Sequence, residues 1–237
     1  MQARCVGSSG RVAMNECFPF YRLTKSFCRD ISNVRILDFG VGWGRVIRLF
    51  AHDVPGDRLY GVDVDPAILE VCRQTGVPGE LHLVEPAGRL PFTDGVFGLA
   101  YAYSVFSHLS PAAALRSFDE LARVLEPGGQ LTFTTQGDRF LKLCCDVRAQ
   151  ATEGPLGDGE ASIDSYFEDP FTARTRFALG EHVYSNVGGG GVLTGDFYGW
   201  AAVPERWLRS NLPEFEIVDV TDDTSVSEQV VVTLRRR

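Results

Sequence analysis

From Val34 onward, short apolar runs alternate with segments whose apolar residues recur every three or four positions. "VRILDFG", "RLYGVDV", "ELHLVE", "VFGLAYAY" and "QLTFTTQ" read as five successive strands. The fourth is nearly all apolar, as suits a strand buried on both faces. Between the strands, "GRVIRLFAHD" places Val46, Leu49 and Phe50 on one helical face. "DPAILEVCRQTG" predicts a helix capped by Asp65, with Pro66 at its first position and Gly76 at its stop. "SPAAALRSFDELARVLEPGG" predicts another, opened by Ser110 and Pro111 and ended by Pro-Gly-Gly. This alternation predicts a parallel sheet with helices on both faces.

The regularity stops near Gly137. "DRFLKLCCDVRAQ" can form a helix, and the Gly- and acid-rich stretch from Glu153 to Glu160 predicts a loop. "DPFTARTRF" and "EHVYSNV" read as irregular or strand-like pieces. Four glycines, Gly188 to Gly191, cannot be the interior of an ordinary helix or strand. "VPERWLRSNL" predicts a short helix. "EFEIVDV" and "EQVVVTL" predict an antiparallel hairpin at the sheet edge, joined by an acidic turn. The expected organisation is an N-terminal extension (1–33), a core (34–136), an insertion (137–203), and a C-terminal helix and hairpin (204–237) that complete the core.

The first strand leads into "ILDFGVGWGR", with Gly40, Gly42 and Gly44 at alternate positions behind Asp38. A dinucleotide turn reads G-x-G-x-x-G/A, and from Gly40 its third small residue would fall on Arg45. No G-K-[ST] follows, so the turn is not a P-loop. A carboxylate before the glycines would repel a pyrophosphate and attract a cationic ligand. Asp63 ends the second strand, facing the glycine turn across the crevice of such a sheet, and can accept bonds from ribose hydroxyls. That role suits a dinucleotide and a sulfonium nucleoside equally. A tight turn with no ligand also fits the glycines taken alone.

Four segments in order resemble the class I S-adenosylmethionine-dependent methyltransferases of the small-molecule type. "ILDFGVGWGR" resembles their first motif and "LYGVDVDP" their acidic second strand. "LPFTDGVFGLAYAYSVFSHL" and "ARVLEPGGQLTFTT" resemble the L-P-F … H-L and L-x-P-G-G-x-L segments. The terminal hairpin resembles the sixth and seventh strands that set the family apart from dehydrogenases. The resemblance implies a Rossmann-like, doubly wound, seven-stranded α/β sheet in three layers. It is mostly parallel, with an antiparallel C-terminal hairpin and an inserted cap. It also implies S-adenosyl-L-methionine as cofactor, held by Asp38, Gly40, Gly42, Gly44, Asp63, Val64, Ala87 and Tyr103. Family members often carry an acid for the adenine amino group four residues before L-P-F. Pro86 stands there, and Glu85 beside it is the substitute candidate. Gly98 replaces a customary Asp, which puts local packing in question.

The implied reaction is methyl transfer to a small-molecule acceptor, with oxygen as one candidate atom. His108 follows the fourth strand on the ligand side and is the candidate base, although a histidine there can also serve to bond backbone. Tyr198 and Trp200 are the substrate-binding candidates, within an insertion rich in aromatics and glycine. The competing readings are a non-catalytic binding protein on the same fold and an NAD-type oxidoreductase.

Charge and composition narrow this further. Twenty-three Lys and Arg against 31 Asp and Glu give a formal charge of −8, which argues against a general nucleic-acid binder. The six cysteines form no C-x-x-C pair, so no metal site is expected and reduced thiols in the cytoplasm are. No apolar stretch is long enough for a membrane span, so no membrane partner is expected.

Overall fold

The computed structural model describes residues 10–28 and 30–237. Its strands, in chain order, are β1 (Ile36–Phe39), β2 (Leu59–Asp63), β3 (Glu80–Leu83), β4 (Phe97–Ala102), β5 (Leu125–Thr135), β6 (Val183–Ser185), β7 (Trp200–Ala202), β8 (Phe215–Thr221) and β9 (Val230–Arg236). Its helices are α1 (Gly10–Ser26), α2 (Ile47–Phe50), α3 (Pro66–Gln74), α4 (Pro111–Val124), α5 (Asp138–Ala151), α6 (Asp158–Asp164), α7 (Pro170–Ala178) and α8 (Glu205–Asn211).

Successive side chains of a strand leave opposite faces of a sheet. Ile36, Leu99 and Tyr101 therefore join one apolar cluster, with Phe20 of α1, Ile47 and Phe50 of α2, and Leu69 of α3. Leu37, Ala100 and Ala102 join the other, with Phe118 and Leu121 of α4 and Leu208 of α8. Both faces of the central strands are thus covered. That is why the fourth strand carries almost no polar residue.

Seven strands make the main sheet, in the order β3-β2-β1-β4-β5-β9-β8. The first five are mutually parallel, and β9 runs antiparallel to both β5 and β8. The connections reverse direction between β1 and β4, which opens a crevice at their carboxyl ends. β8 consequently runs parallel to β5, so the β8–β9 turn also lies on the crevice side.

Several elements depart from the sequence reading. Residues 170–178 form a helix, not a strand-like piece. Asp169 caps it by accepting from Phe171 N at 3.0 Å and Thr172 N at 3.1 Å, and Pro170 takes the first helical position. The stretch expected as a loop becomes helical at Asp158, where Glu160 Oε2 accepts from Gly157 N at 3.0 Å. α2 is a single turn. α1, which has no counterpart in the sequence reading, is fastened by Tyr21 Oη donating to Asp53 at 2.6 Å, by the Lys25–Asp53 ion pair, and by Gln130 Nε2 donating to Thr24 O at 2.8 Å.

The insertion has its own small core of Leu141, Cys144, Phe167, Ala173, Val183 and Ala202. Nearby, His182 is buried edge-on against Trp207, ring centroids 5.0 Å apart, and burial pushes its pKa down to about 4. An unfolded histidine titrates near 6.5, so the unfolded chain binds the proton first as pH falls. The stability that neutral His182 supports is complete above about pH 6.5 and is lost toward about pH 4, on the order of 3 kcal/mol in all. Chemical denaturation across that window should show the slope, and His182→Phe should flatten it.

Cys17, Cys28, Cys72, Cys144 and Cys145 are free thiols. Cys5 lies outside the described residues. No described helix is long and apolar enough to cross a membrane.

Candidate active site

The carboxyl ends of β1, β2 and β4 open on a cavity of about 1160 Å³. The three glycines of the turn have positive φ for different reasons. Gly40 has φ +81°, and a Cβ there would collide with Val105. Gly44 has φ +80°, and its Cβ would lie 2.6 Å from Val77 Cγ2. Gly42 has φ +52°, lines the cavity, and would present a Cβ to open space. Gly40 and Gly44 therefore let the chain pack, whereas Gly42 lets a ligand approach the backbone. Arg45, which replaces the small residue of a dinucleotide turn, holds α1 over this loop. Its guanidinium lies 4.6 Å from the Tyr103 ring centroid, and Nη1 is 3.5 Å from both Glu16 Oε2 and Ala13 O.

Asp38 and Asp63, at the ends of β1 and β2, are among the acids that line this cavity. Asp38 is 2% exposed and accepts from Tyr101 Oη at 2.9 Å. Burial outweighs that bond and, with the neighbouring charge of Asp63, pushes its pKa up to about 8. Asp63 Oδ2 accepts from Gly42 N at 2.9 Å and Oδ1 from Asp65 N at 3.0 Å, which ties the end of β2 to the glycine turn. Burial raises its pKa as well. Asp65 caps α3 by accepting from Ala67 N at 2.8 Å.

Beyond β4 the chain runs antiparallel to the end of the insertion. Gly199 N donates to His108 O at 2.8 Å, Ala201 N to Ser107 O at 2.8 Å, and Ser110 N to Phe197 O at 2.9 Å. His108 Nδ1 lies 2.7 Å from Gly199 O. A carbonyl oxygen only accepts, so Nδ1 carries the proton and Nε2 keeps its lone pair. Burial holds the imidazole pKa below its usual value, which favours the neutral form. The ring stacks on Tyr198, centroids 4.8 Å apart and 8° between planes. Ser104, between Tyr103 and this segment, has φ +61° despite being non-glycine. Three hydrogen bonds support that conformation. Its N donates to Thr134 Oγ1 at 2.7 Å, and its Oγ accepts from Gln229 Nε2 at 3.0 Å and pairs with Ser107 Oγ at 3.4 Å.

Residues 37–133, which hold the glycine turn, both carboxylates and His108, match a family model described as a methyltransferase domain. That stretch, about two fifths of the chain, is similar to a methyltransferase domain.

Among relatives, the malonyl-[acyl-carrier protein] O-methyltransferase of Geobacter sulfurreducens is 31% identical over 154 residues, 64% of this chain and 57% of that protein. The demethylmenaquinone methyltransferase of Thermus thermophilus is 33% identical over 103 residues, 41% of this chain and 44% of that protein. The chain spans about half the length of these curated relatives. An S-adenosylmethionine-dependent methyltransferase from Mesorhizobium loti superposes with a TM-score of 0.60 at 15% identity, covering 94% of this chain and 100% of that one. One from Aquifex aeolicus does so with 0.57 at 13%, covering 100% and 99%. At those identities the likeness is one of fold.

The cofactor of this class is S-adenosylmethionine, and the domain's residues fit it. Asp38 offers a carboxylate to its cationic methionine end, Gly42 leaves room beside the backbone, and Asp63 has lone pairs for ribose hydroxyls. Val64, Ile68, Val84, Pro86 and Ala87 give the cavity an apolar stretch suited to a base. A Gly42→Ala variant should fold yet bind the cofactor at least about tenfold more weakly, since its methyl enters ligand space. Both substitutions carry the left-handed φ cost of about 1 kcal/mol, and Gly44→Ala should lose further stability through its contact with Val77 while leaving cofactor affinity largely unchanged. Calorimetry beside denaturant titration separates the two outcomes.

Gly40, Gly42, Asp38, Asp63, Val64, Ala87, Tyr103, His108 and Tyr198 all line the cavity. Glu85, Gly44 and Trp200 do not. Glu85 is exposed, because the chain turns back there (Gly88 N donates to Glu85 O at 3.0 Å, and Ala87 has φ +50°) and leaves Pro86 and Ala87 on the wall. Gly44 serves packing, as described above. Trp200 stacks on Tyr166 with centroids 4.1 Å apart, and reaches His108 only ring to ring at 5.0 Å. At Gly98 a Cβ would lie 2.5 Å from Val34 Cγ1. Val34 thus occupies the space a larger residue would need, which accounts for the missing Asp. The sequence reading missed Ser104, the three glycines 189–191 as lining, and the 224–229 turn with Gln229. The direction of β8 was the available signal for the last, because it sends that turn to the crevice side.

Proposed function

We propose that the chain is an S-adenosylmethionine-dependent methyltransferase acting on a hydroxyl of a small molecule, with His108 as general base. One observation carries the reading: His108 shares a cavity with Asp38 and Asp63, and its Nδ1 is committed to Gly199 O. The remaining nitrogen can take a proton. When bound, S-adenosylmethionine supplies a methyl group activated by a positively charged sulfur. Asp38 and Asp63 hold the cofactor, and the apolar wall excludes water from it. His108 Nε2 removes the proton of the acceptor hydroxyl, while Tyr198 and Gly199 fix the imidazole plane. Positioning of this kind supplies much of the acceleration in a displacement reaction. The free thiols suit a reducing compartment such as the cytoplasm.

The test is structural identification of the product after incubation with methyl-labelled cofactor and small-molecule pools. An O-methyl ether is the expected product, and a methyl ester would place the acceptor atom on a carboxylate instead. A methyl group on carbon or nitrogen would overturn the oxygen assignment, and cofactor binding without any transfer would favour a binding protein.

A further inference from the structure

We propose that the acceptor carries no anionic group: it is a neutral or cationic hydroxyl compound, and carboxylate- or phosphate-bearing acceptors are excluded. The inference rests on the methyl-transfer reading above and adds the charge of the acceptor to it. Among the described residues that line the cavity, the acids are Glu16, Asp38, Asp63, Asp65 and Glu228, and the lysine or arginine is Arg45 alone. Arg45 belongs to the glycine turn, is 9% exposed, and already faces the Glu16 carboxylate and the Tyr103 ring. The cofactor brings one net positive charge, from an ammonium, a sulfonium and a carboxylate. That does not reverse a wall of five acids against one base.

At the His108 end, the described lining offers no cation. The imidazole is neutral, with its Nδ1 proton spent on Gly199 O. An anionic acceptor would leave water to face like charge with no counter-ion, and such burial is costly. A malonyl group ends in a carboxylate, so the inference sets this chain apart from the relatives named malonyl-[acyl-carrier protein] O-methyltransferase.

The experiment uses the full chain, methyl-labelled S-adenosylmethionine, and a metabolite extract split by anion exchange at neutral pH. The expected result is label in the unretained, neutral and cationic fraction at least about tenfold above that in the retained fraction, a selectivity of about 1.4 kcal/mol. A smaller ratio, or label chiefly in the retained fraction, overturns the inference. Label in neither fraction, with or without cofactor binding by calorimetry on the same sample, overturns the methyl-transfer reading on which the inference rests. Glu228→Lys, at an exposed position, should raise labelling of the retained fraction severalfold, and an unchanged partition would overturn the electrostatic origin.

Discussion

Replacing Asp38 by asparagine is expected to weaken S-adenosylmethionine binding about 100-fold, roughly 3 kcal/mol, the scale of a hydrogen bond to a charged group. The shape is kept and a carbonyl oxygen can still accept from Tyr101 Oη, so stability should change little. Asp38→Ala would leave that buried hydroxyl without its partner and cost a further 1–3 kcal/mol or so of folding stability. The pH dependence is the sharper test. With its pKa pushed up to about 8, Asp38 holds a proton at neutral pH in the ligand-free protein. A cationic ligand favours the carboxylate, so binding must expel that proton. Cofactor affinity should therefore rise with pH and level off above about 8. Calorimetry in buffers of different ionisation enthalpy should count close to one proton released near neutrality. The sign for folding alone is opposite: a raised carboxyl pKa stabilises the empty fold below about pH 4, and that stability is lost as pH rises through about 8. The asparagine variant should remove both dependences. A wild-type affinity flat with pH would show that Asp38 does not meet the cation.

His108→Ala is expected to lower kcat by about 10²- to 10⁴-fold, the usual contribution of a general base. Cofactor affinity should stay within about twofold, because the imidazole bonds Gly199 and stacks on Tyr198 rather than touching the glycine turn or either carboxylate. The pH profiles separate the two residues. Burial lowers the His108 pKa, so kcat should hold steady down to about 6.5 and fall only below it. The Asp38 dependence should enter kcat/KM with a limb near 8 and be weak in kcat, which reports the loaded enzyme. An unchanged kcat in His108→Ala would make the ring a structural fixture that pins the end of the insertion.

The sheet was readable because local chemistry and global packing agree along it. The apolar run ending in Tyr101, the Asp65-Pro66 and Ser110-Pro111 helix starts, and the glycine turn each say the same thing at two levels. Asp38 and Asp63 could be placed because a doubly wound sheet brings the ends of β1 and β2 to one crevice. The helix at Pro170 was misread although its Asp-Pro start was visible, since its weakly apolar body hides the period. Glu85 was misplaced because one turn, set by the backbone of Ala87 and Gly88, decides which way it points. Ser104 and Gln229 were illegible for another reason. They lie 125 positions apart, and their meeting depends on β9 slotting between β5 and β8.

The pairing of His108 with Gly199 bears on how this protein could be re-engineered. The group that orients the proposed base belongs to the insertion, and a side chain at Gly199 would collide with the Ser185 backbone. Exchanging the whole cap to graft a new specificity would therefore also swap out the part that sets the imidazole. A chimera keeping residues 197–201 from this chain retains that bond, and one that replaces them must rebuild it. The cap and the residue proposed as base are thus coupled through one backbone carbonyl, so a change of substrate preference that spares Gly199 also spares the setting of that imidazole.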